Sequence, residues 1–242
     1  MKYLNLRLTA LMVMGLATCG WAREDDHNAN LWMNYFGDHP LSENWQFHLD
    51  TQIRRDNVGL NRQQRLVQPG FNWKVSPKLT LGAGYGYMRT YPYGEYPIAA
   101  PVSEQRVWEQ ASTTTPLFGL EWNHRLRLEQ RRLGQLPPNP AFRHENRIRY
   151  RLLTTIALPF GEQDGWYLKA FDEIFLNFGG AVARNQFDQN RAYLGLGRRL
   201  ARRTKLEFGF MEQSLQHRNG RVMEHNHTLM FSIISGWPFR RE

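Results

Sequence analysis

The clearest signal in the chain is strict alternation. In Trp45-Gln-Phe-His-Leu-Asp-Thr-Gln-Ile-Arg54, Trp45, Phe47, Leu49 and Ile53 share one face, and Gln46, His48, Asp50, Gln52 and Arg54 share the other. A period of two yields two coherent faces only on a β-strand. Leu79–Met88 repeats the pattern, setting Leu79, Leu81, Ala83, Tyr85 and Tyr87 against Thr80, Gly82, Gly84 and Gly86. Glycines on that second face leave room inside a narrow barrel. Leu120–Arg131 separates Leu120, Trp122, Leu126 and Leu128 from Glu121, Asn123, Arg125, Arg127, Glu129 and Arg131. A helix would scatter those charges around its circumference. Further strands are predicted over 62–73, 102–114, 143–157, 166–177, 187–200, 204–215 and 222–235, with a short first segment at 31–36.

Segments of about ten residues are what tilted membrane-crossing strands require. The connections alternate as well. Short ones fall around Pro40–Asn44, Ser76–Lys78, Pro116–Phe118, Gly161–Gly165 and Ala201–Arg203; longer ones fall at Asp56–Asn61, Tyr91–Pro101, Gly134–Ala141, Gly179–Gln186 and His217–Glu224. The expected fold is all-β, a single antiparallel transmembrane-type β-barrel of about 10–12 strands, its short turns at the periplasmic side. The segments number eleven, whereas bacterial single-chain barrels use even counts. Either 31–36 is not a full wall strand, leaving ten, or one segment is misdivided, giving twelve.

Alternation does not say which face points inward; tryptophan and charge do. Trp45, Trp73, Trp122 and Trp166 all sit at strand ends beside a short turn, as an interfacial aromatic girdle requires. Arg143, Glu145, Arg147, Arg149 and Arg151 follow one another on one face, a row that Asp50, Glu121, Glu129, Glu173 and Glu207 could neutralise across a lumen. The candidate lumen network is therefore Asp50, Glu121, Arg125, Arg127, Glu129, Glu145, Arg147, Arg149, Arg151, Asp172, Glu173, Asn190, Arg191 and Glu207.

The first 22 residues place this barrel. Lys2 and Arg7 precede an apolar run, Leu8–Ala17, too short to span a bilayer, and Cys19-Gly-Trp-Ala22 offers a small-x-small cleavage pattern. The expected division is a signal peptide at 1–22 and a barrel domain at 23–242, with localisation in the outer membrane. Leu16-Ala-Thr-Cys19 leaves a lipoprotein cut open, with Thr18 a poor residue before an acylated cysteine. Ordinary cleavage removes Lys2, Arg7 and the lone cysteine, lowering the formal charge from +9 to +7 and excluding disulfides and thiolate metal sites. A basic exported chain points to outer-membrane lipid and anionic lipopolysaccharide, with the barrel assembly machinery as a further partner. Export argues against nucleic acid, and no cofactor is implied.

Ala170-Phe-Asp-Glu-Ile-Phe-Leu-Asn177 and Phe187-Asp-Gln-Asn-Arg-Ala-Tyr-Leu-Gly-Leu-Gly197 resemble a bacterial family of unknown function, DUF2490. Arg127-Leu-Glu-Gln130, Arg147-Ile-Arg-Tyr-Arg151, Glu207-Phe-Gly-Phe-Met211 and Asn226-His-Thr-Leu229 agree with that pattern. The resemblance spans most of the chain and implies an outer-membrane-type barrel; it implies no activity.

Candidate chemistry is sparse. Asp172 and Glu173 are adjacent, so a regular strand sends them to opposite faces unless a bulge turns both inward toward Asn190 and Arg191. They form either an acid–base pair or a salt-bridge cluster that holds register. Glu224-His-Asn-His-Thr228 superficially resembles the His-x-Ser/Thr element of lipid A deacylases, but Thr228 falls on the face opposite His227. His225 and His227 share a face as metal ligands could, without an evident third. Tyr91, Tyr93 and Tyr96, among prolines, form an external loop that either contacts sugar or protein or simply caps the surface. The end, Trp237-Pro-Phe239-Arg-Arg-Glu242, departs from barrels that finish on an aromatic. The leading expectation is a non-enzymatic outer-membrane barrel with a charged, largely plugged lumen in a structural, binding or small-solute role. The alternatives are an outer-membrane lipid-modifying enzyme and a soluble periplasmic ligand-binding barrel.

Overall fold

The computed structural model describes residues 24–135, 141–159 and 165–239. The predicted leader at 1–22 and the last residues, Arg240–Glu242, lie outside them, as does part of the Gly161–Gly165 connection. The strands are β1 (Glu24–Pro40), β2 (Trp45–Asp56), β3 (Asn61–Lys74), β4 (Leu79–Thr90), β5 (Val102–Leu117), β6 (Leu120–Gln135), β7 (Phe142–Ala157), β8 (Trp166–Phe178), β9 (Phe187–Ala201), β10 (Thr204–Gln216) and β11 (Val222–Ser235). All but β1 keep close to the alternating segments. β1 begins seven residues before the expected 31–36, because Glu24–Asn30 is polar on both faces and carries no apolar rhythm.

Consecutive strands pair antiparallel, and β1 closes the barrel by pairing parallel with β11 from Glu24↔Val222 to Gly37↔Ser235. The expected antiparallel barrel of about 10–12 strands is borne out, with one parallel pair at its seam, while the even count of ten or twelve is corrected to eleven. The first segment is a full wall strand, and an up-and-down chain with an odd number of strands brings its first and last strands together running the same way. Hydrogen bonds of a parallel pair are slanted and slightly weaker. Side chains add to the seam from inside: Asn30 Nδ2 donates to Asn226 Oδ1 at 2.6 Å, and Asn34 Nδ2 to Ser232 Oγ at 3.1 Å.

Alternation sorts the side chains as a membrane barrel does. Every strand turns a large apolar residue outward and exposed: Met33, Ile53, Val67, Leu81, Val107, Leu126, Tyr150, Leu176, Leu194, Phe208 and Phe231, one from each of β1 to β11. The inward positions carry mostly arginine, glutamate, glutamine and asparagine, with Trp32, Tyr193, Met211 and Met230 clustered among them. Polar groups on the outer face pair locally, as where Gln130 Nε2 donates to Glu109 Oε2 at 3.3 Å.

Eleven strands enclose more space than the eight whose side chains just fill a lumen, so long side chains must fill it. Trp108 is one, fully buried on the inner face of β5. A Cβ at Gly70 or Gly84 would overlap its indole, so the inward glycines of β3 and β4 are where the ring lies.

Five tryptophans gather at the short-turn end. Trp45 and Trp73 are exposed and stacked with ring centroids 6.0 Å apart, Trp166 lies against the Arg198 guanidinium at 5.1 Å, and Trp237 Nε1 donates to Thr204 Oγ1 at 2.8 Å. Trp122 departs from the girdle: it is buried with Leu120 and Ile156, and its Nε1 donates to Leu117 O at 3.1 Å.

Candidate functional site

The charged network lines one wall of the lumen, on β5 to β9. β5, β6 and β7 each contribute two or more inward positions, because residues two apart share a face, and β8 and β9 add Glu173 and Asp188. At its centre is Glu129, fully buried, whose carboxylate accepts from Arg147 Nε at 2.8 Å, Arg149 Nη1 at 2.7 Å and Arg106 Nη1 at 3.4 Å. Arg147 reaches on to Asp188 at 2.7 Å. Glu173 accepts from Arg149 Nη2 at 2.9 Å and Arg125 Nη2 at 2.7 Å. Toward the long-loop end, Arg131 makes a two-pronged contact with Glu104, Nε and Nη2 each at 2.9 Å, and Arg143 holds Glu145 at 2.7 Å. Such forked pairs combine charge with fixed geometry, which offsets part of the cost of burying ions. The facing wall is mostly neutral, with Gln52, Gln63, Gln68, Asn226 and Thr228 buried there.

Three arginines that make no ion pair among the described residues rest on rings. Arg54 stacks over Trp32 at 3.8 Å, and Arg191 lies 5.2 Å from Trp32 and 4.8 Å from Phe175. Arg127 stacks on Trp108 at 4.5 Å. The ring faces supply the negative end of a quadrupole where no carboxylate reaches.

Two cavities remain, of about 370 Å³ toward the long loops and about 380 Å³ toward the short turns. Asp50, Gln52, Arg149 and Arg191 border both and form the waist between them. The Tyr91–Pro101 connection folds over the upper cavity. Tyr93 Oη donates to Glu224 Oε1 at 2.7 Å, and Glu95 N to Asp26 Oδ1 at 3.4 Å, so a loop leaving β4 reaches β11 and β1 on the far side. Burial, and then the adjacent Glu224 carboxylate, push the Tyr93 phenol well above its ordinary range.

Of the residues singled out from sequence, Arg125, Arg127, Glu129, Glu145, Arg147, Arg149, Arg151, Glu173, Arg191, Asp50 and Glu207 face the lumen. They do not form one network. Glu207 pairs separately with Lys169 at 2.7 Å, and Asp50 accepts from Gln52 Nε2 at 2.8 Å. Three lie elsewhere. Glu121 is exposed beside the Phe118–Gly119 turn, beyond the reach of the row on β7. Asp172 and Asn190 are on the outer face, Asn190 Nδ2 donating to Asp172 Oδ1 at 3.1 Å; the strand is regular at Asp172, and the bulge falls later, between Phe175 and Leu176. Thr228 is buried in the lumen while His227 points out, where it joins His225 and His27 in a stack with centroids 5.0 and 5.5 Å from His27. No group of three or more metal-ligating side chains among the described residues is arranged to hold a metal.

Glu104, Arg106 and Asp188 join the network without having been singled out, although Glu104 and Arg106 alternate with outward Val107 on β5. Trp32, Trp108 and Phe175 were hidden for another reason: a ring on a polar face looks like an exception until the arginine it carries is seen.

No curated protein matches the sequence. Among solved structures, the siderophore receptor PirA from Pseudomonas aeruginosa overlaps 73% of this chain and 32% of its own length, at 15% identity and a TM-score of 0.27. The chain thus spans about a third of that receptor, and so loose an overlap carries no argument. The family model described as "Protein of unknown function (DUF2490)" matches residues 29–224, from Ala29 in β1 to the lumen carboxylate Glu224 that the capping tyrosine holds, and the chain belongs to the DUF2490 family.

Proposed function

We propose that the protein spans the outer membrane as a barrel closed to bulk flow, and that it serves a binding or structural role rather than a catalytic one. The observation that carries this is the outer band: all eleven strands expose apolar side chains while ion pairs line one wall of the lumen. A water-soluble barrel has the opposite arrangement, and a continuous exposed apolar belt has no stable place in water. The waist at Asp50, Gln52, Arg149 and Arg191 and the Tyr93 cap argue for closure.

Planar-bilayer recording of the refolded protein tests both halves. Insertion with little or no steady conductance is expected, and an Arg147→Ala variant, which removes the link from Glu129 to Asp188, should raise open-state conductance. A large steady conductance in the unaltered protein would reject closure. A chain that stays monodisperse in buffer without detergent would reject the membrane assignment.

A further inference from the structure

β6 and β7 pair so that Arg125 stands opposite Arg151 and Arg127 opposite Arg149. Four guanidiniums therefore leave adjacent inner positions of two neighbouring strands, and like charges directly opposite repel. Carboxylates reach only two of the four. Glu173 takes Arg125 and Arg149, and Glu129 takes Arg149. Arg127 has the neutral amide oxygen of Gln110, at 2.7 Å from Nη2, and the face of Trp108. Arg151 makes no hydrogen bond or ion pair among the described residues, and its Nε and that of Arg125 are buried without a partner.

All four border the cavity of about 380 Å³ at the short-turn side, where Arg191 also faces in. The acids on that cavity are engaged: Glu173 as above, Glu207 by Lys169 and by Tyr167 Oη at 2.8 Å, Asp38 by His48 and Asn72 at 2.8 Å each, and Asp50 by Gln52. The sequence thus places Arg127, Arg151 and Arg191 beside this cavity with no ion pair among the described residues, Arg151 standing in register with a Glu173 already shared by Arg125 and Arg149. Unpaired buried donors of this kind are costly, and an anion in the space would remove the cost.

We propose that the short-turn cavity is a binding site for a phosphate-class oxyanion, with Arg151 and Arg127 as its unshared cations and Arg125 offering its free Nε. A carboxylate has two oxygens and one charge; the spare donors and a lining of six cations against four carboxylates match a phosphate dianion or a phosphate monoester better. The cavity has room for a small organic group on that phosphate. The site depends on the lumen alone, so it stands or falls separately from the conductance measurement above.

Calorimetric titration and thermal melting of the refolded full-length chain in neutral detergent test it, using inorganic phosphate, glycerol phosphate, and phosphatidic acid in mixed micelles as separate probes at low ionic strength. Saturable binding of one probe per chain is expected, with a raised melting temperature. Arg151→Gln should weaken that binding at least tenfold and, by relieving its repulsion with Arg125, leave the ligand-free melting temperature equal or higher. Arg127→Gln, a second and independent variant, should weaken binding as well. Saturation by either soluble probe assigns a free oxyanion, and saturation by phosphatidic acid alone assigns a lipid headgroup; both keep the site. A melting shift that sodium chloride reproduces at matched ionic strength, or binding that Arg151→Gln leaves unchanged, would overturn it.

Discussion

Glu129 is the residue on which the wall of charge converges, and its worth can be measured because the gain of a buried ion pair and the cost of breaking it are so unequal. Glu129→Gln keeps the shape but leaves Arg106, Arg147 and Arg149 around a neutral amide. The expected loss is about 3–5 kcal/mol of unfolding free energy, read from urea transitions in detergent. Glu121→Gln is the matched comparison, since the same change at an exposed strand end should stay within about 0.5 kcal/mol. Equal effects at the two positions would mean that the buried contacts contribute nothing beyond surface polarity. The two glutamates look alike in sequence, both on the polar register of β6. What separates them is height in the barrel: Glu129 meets arginines from β5 and β7, and Glu121 has run past the last of them.

At the scale of strands, the seam is the place where the barrel is weakest by construction. The β1–β11 pair has the slanted hydrogen bonds of parallel strands, and the Asn30–Asn226 contact adds a buried amide bond across it. Asn226→Ala should therefore speed hydrogen exchange at the amides of β1 and β11, by an opening free energy lower by about 1–3 kcal/mol, while β5 and β6 stay protected. Uniform loss of protection around the barrel would show that the seam opens only with the whole. The other ten strands were legible because each carries an apolar outer face, and alternation registers that face directly. β1 was not, since Asp25, His27 and Ala29 give its first half no greasy side. Its parallel closure could not be read either, because pairing direction is a property of the strand count, which rested on that one unread segment. Asp172 shows the same limit at closer range: its face followed from alternation, but whether a bulge reversed it depended on where β8 slips against β9.

Taken whole, the lumen holds two cavities that meet at Asp50, Gln52, Arg149 and Arg191, and that geometry has a consequence for access. Arginine outnumbers acid on both cavity linings, so an anion approaching from either end is attracted, and under the proposed closure the waist keeps it from crossing. In a Cys19→Ser background, single cysteines report each compartment: Gln64→Cys on the upper cavity and Ser112→Cys on the lower. Applied to proteoliposomes, a membrane-impermeant anionic thiol reagent should modify Gln64→Cys only from the long-loop side and Ser112→Cys only from the short-turn side. It should outpace a cationic reagent of similar size, and salt should erase that difference, because screening shortens the reach of the arginine field. If one side labelled both positions, the waist would be open and the lumen a continuous pore. If the cationic reagent were the faster, the excess of arginine would be compensated in solution, and the lumen would offer an anion no advantage over water.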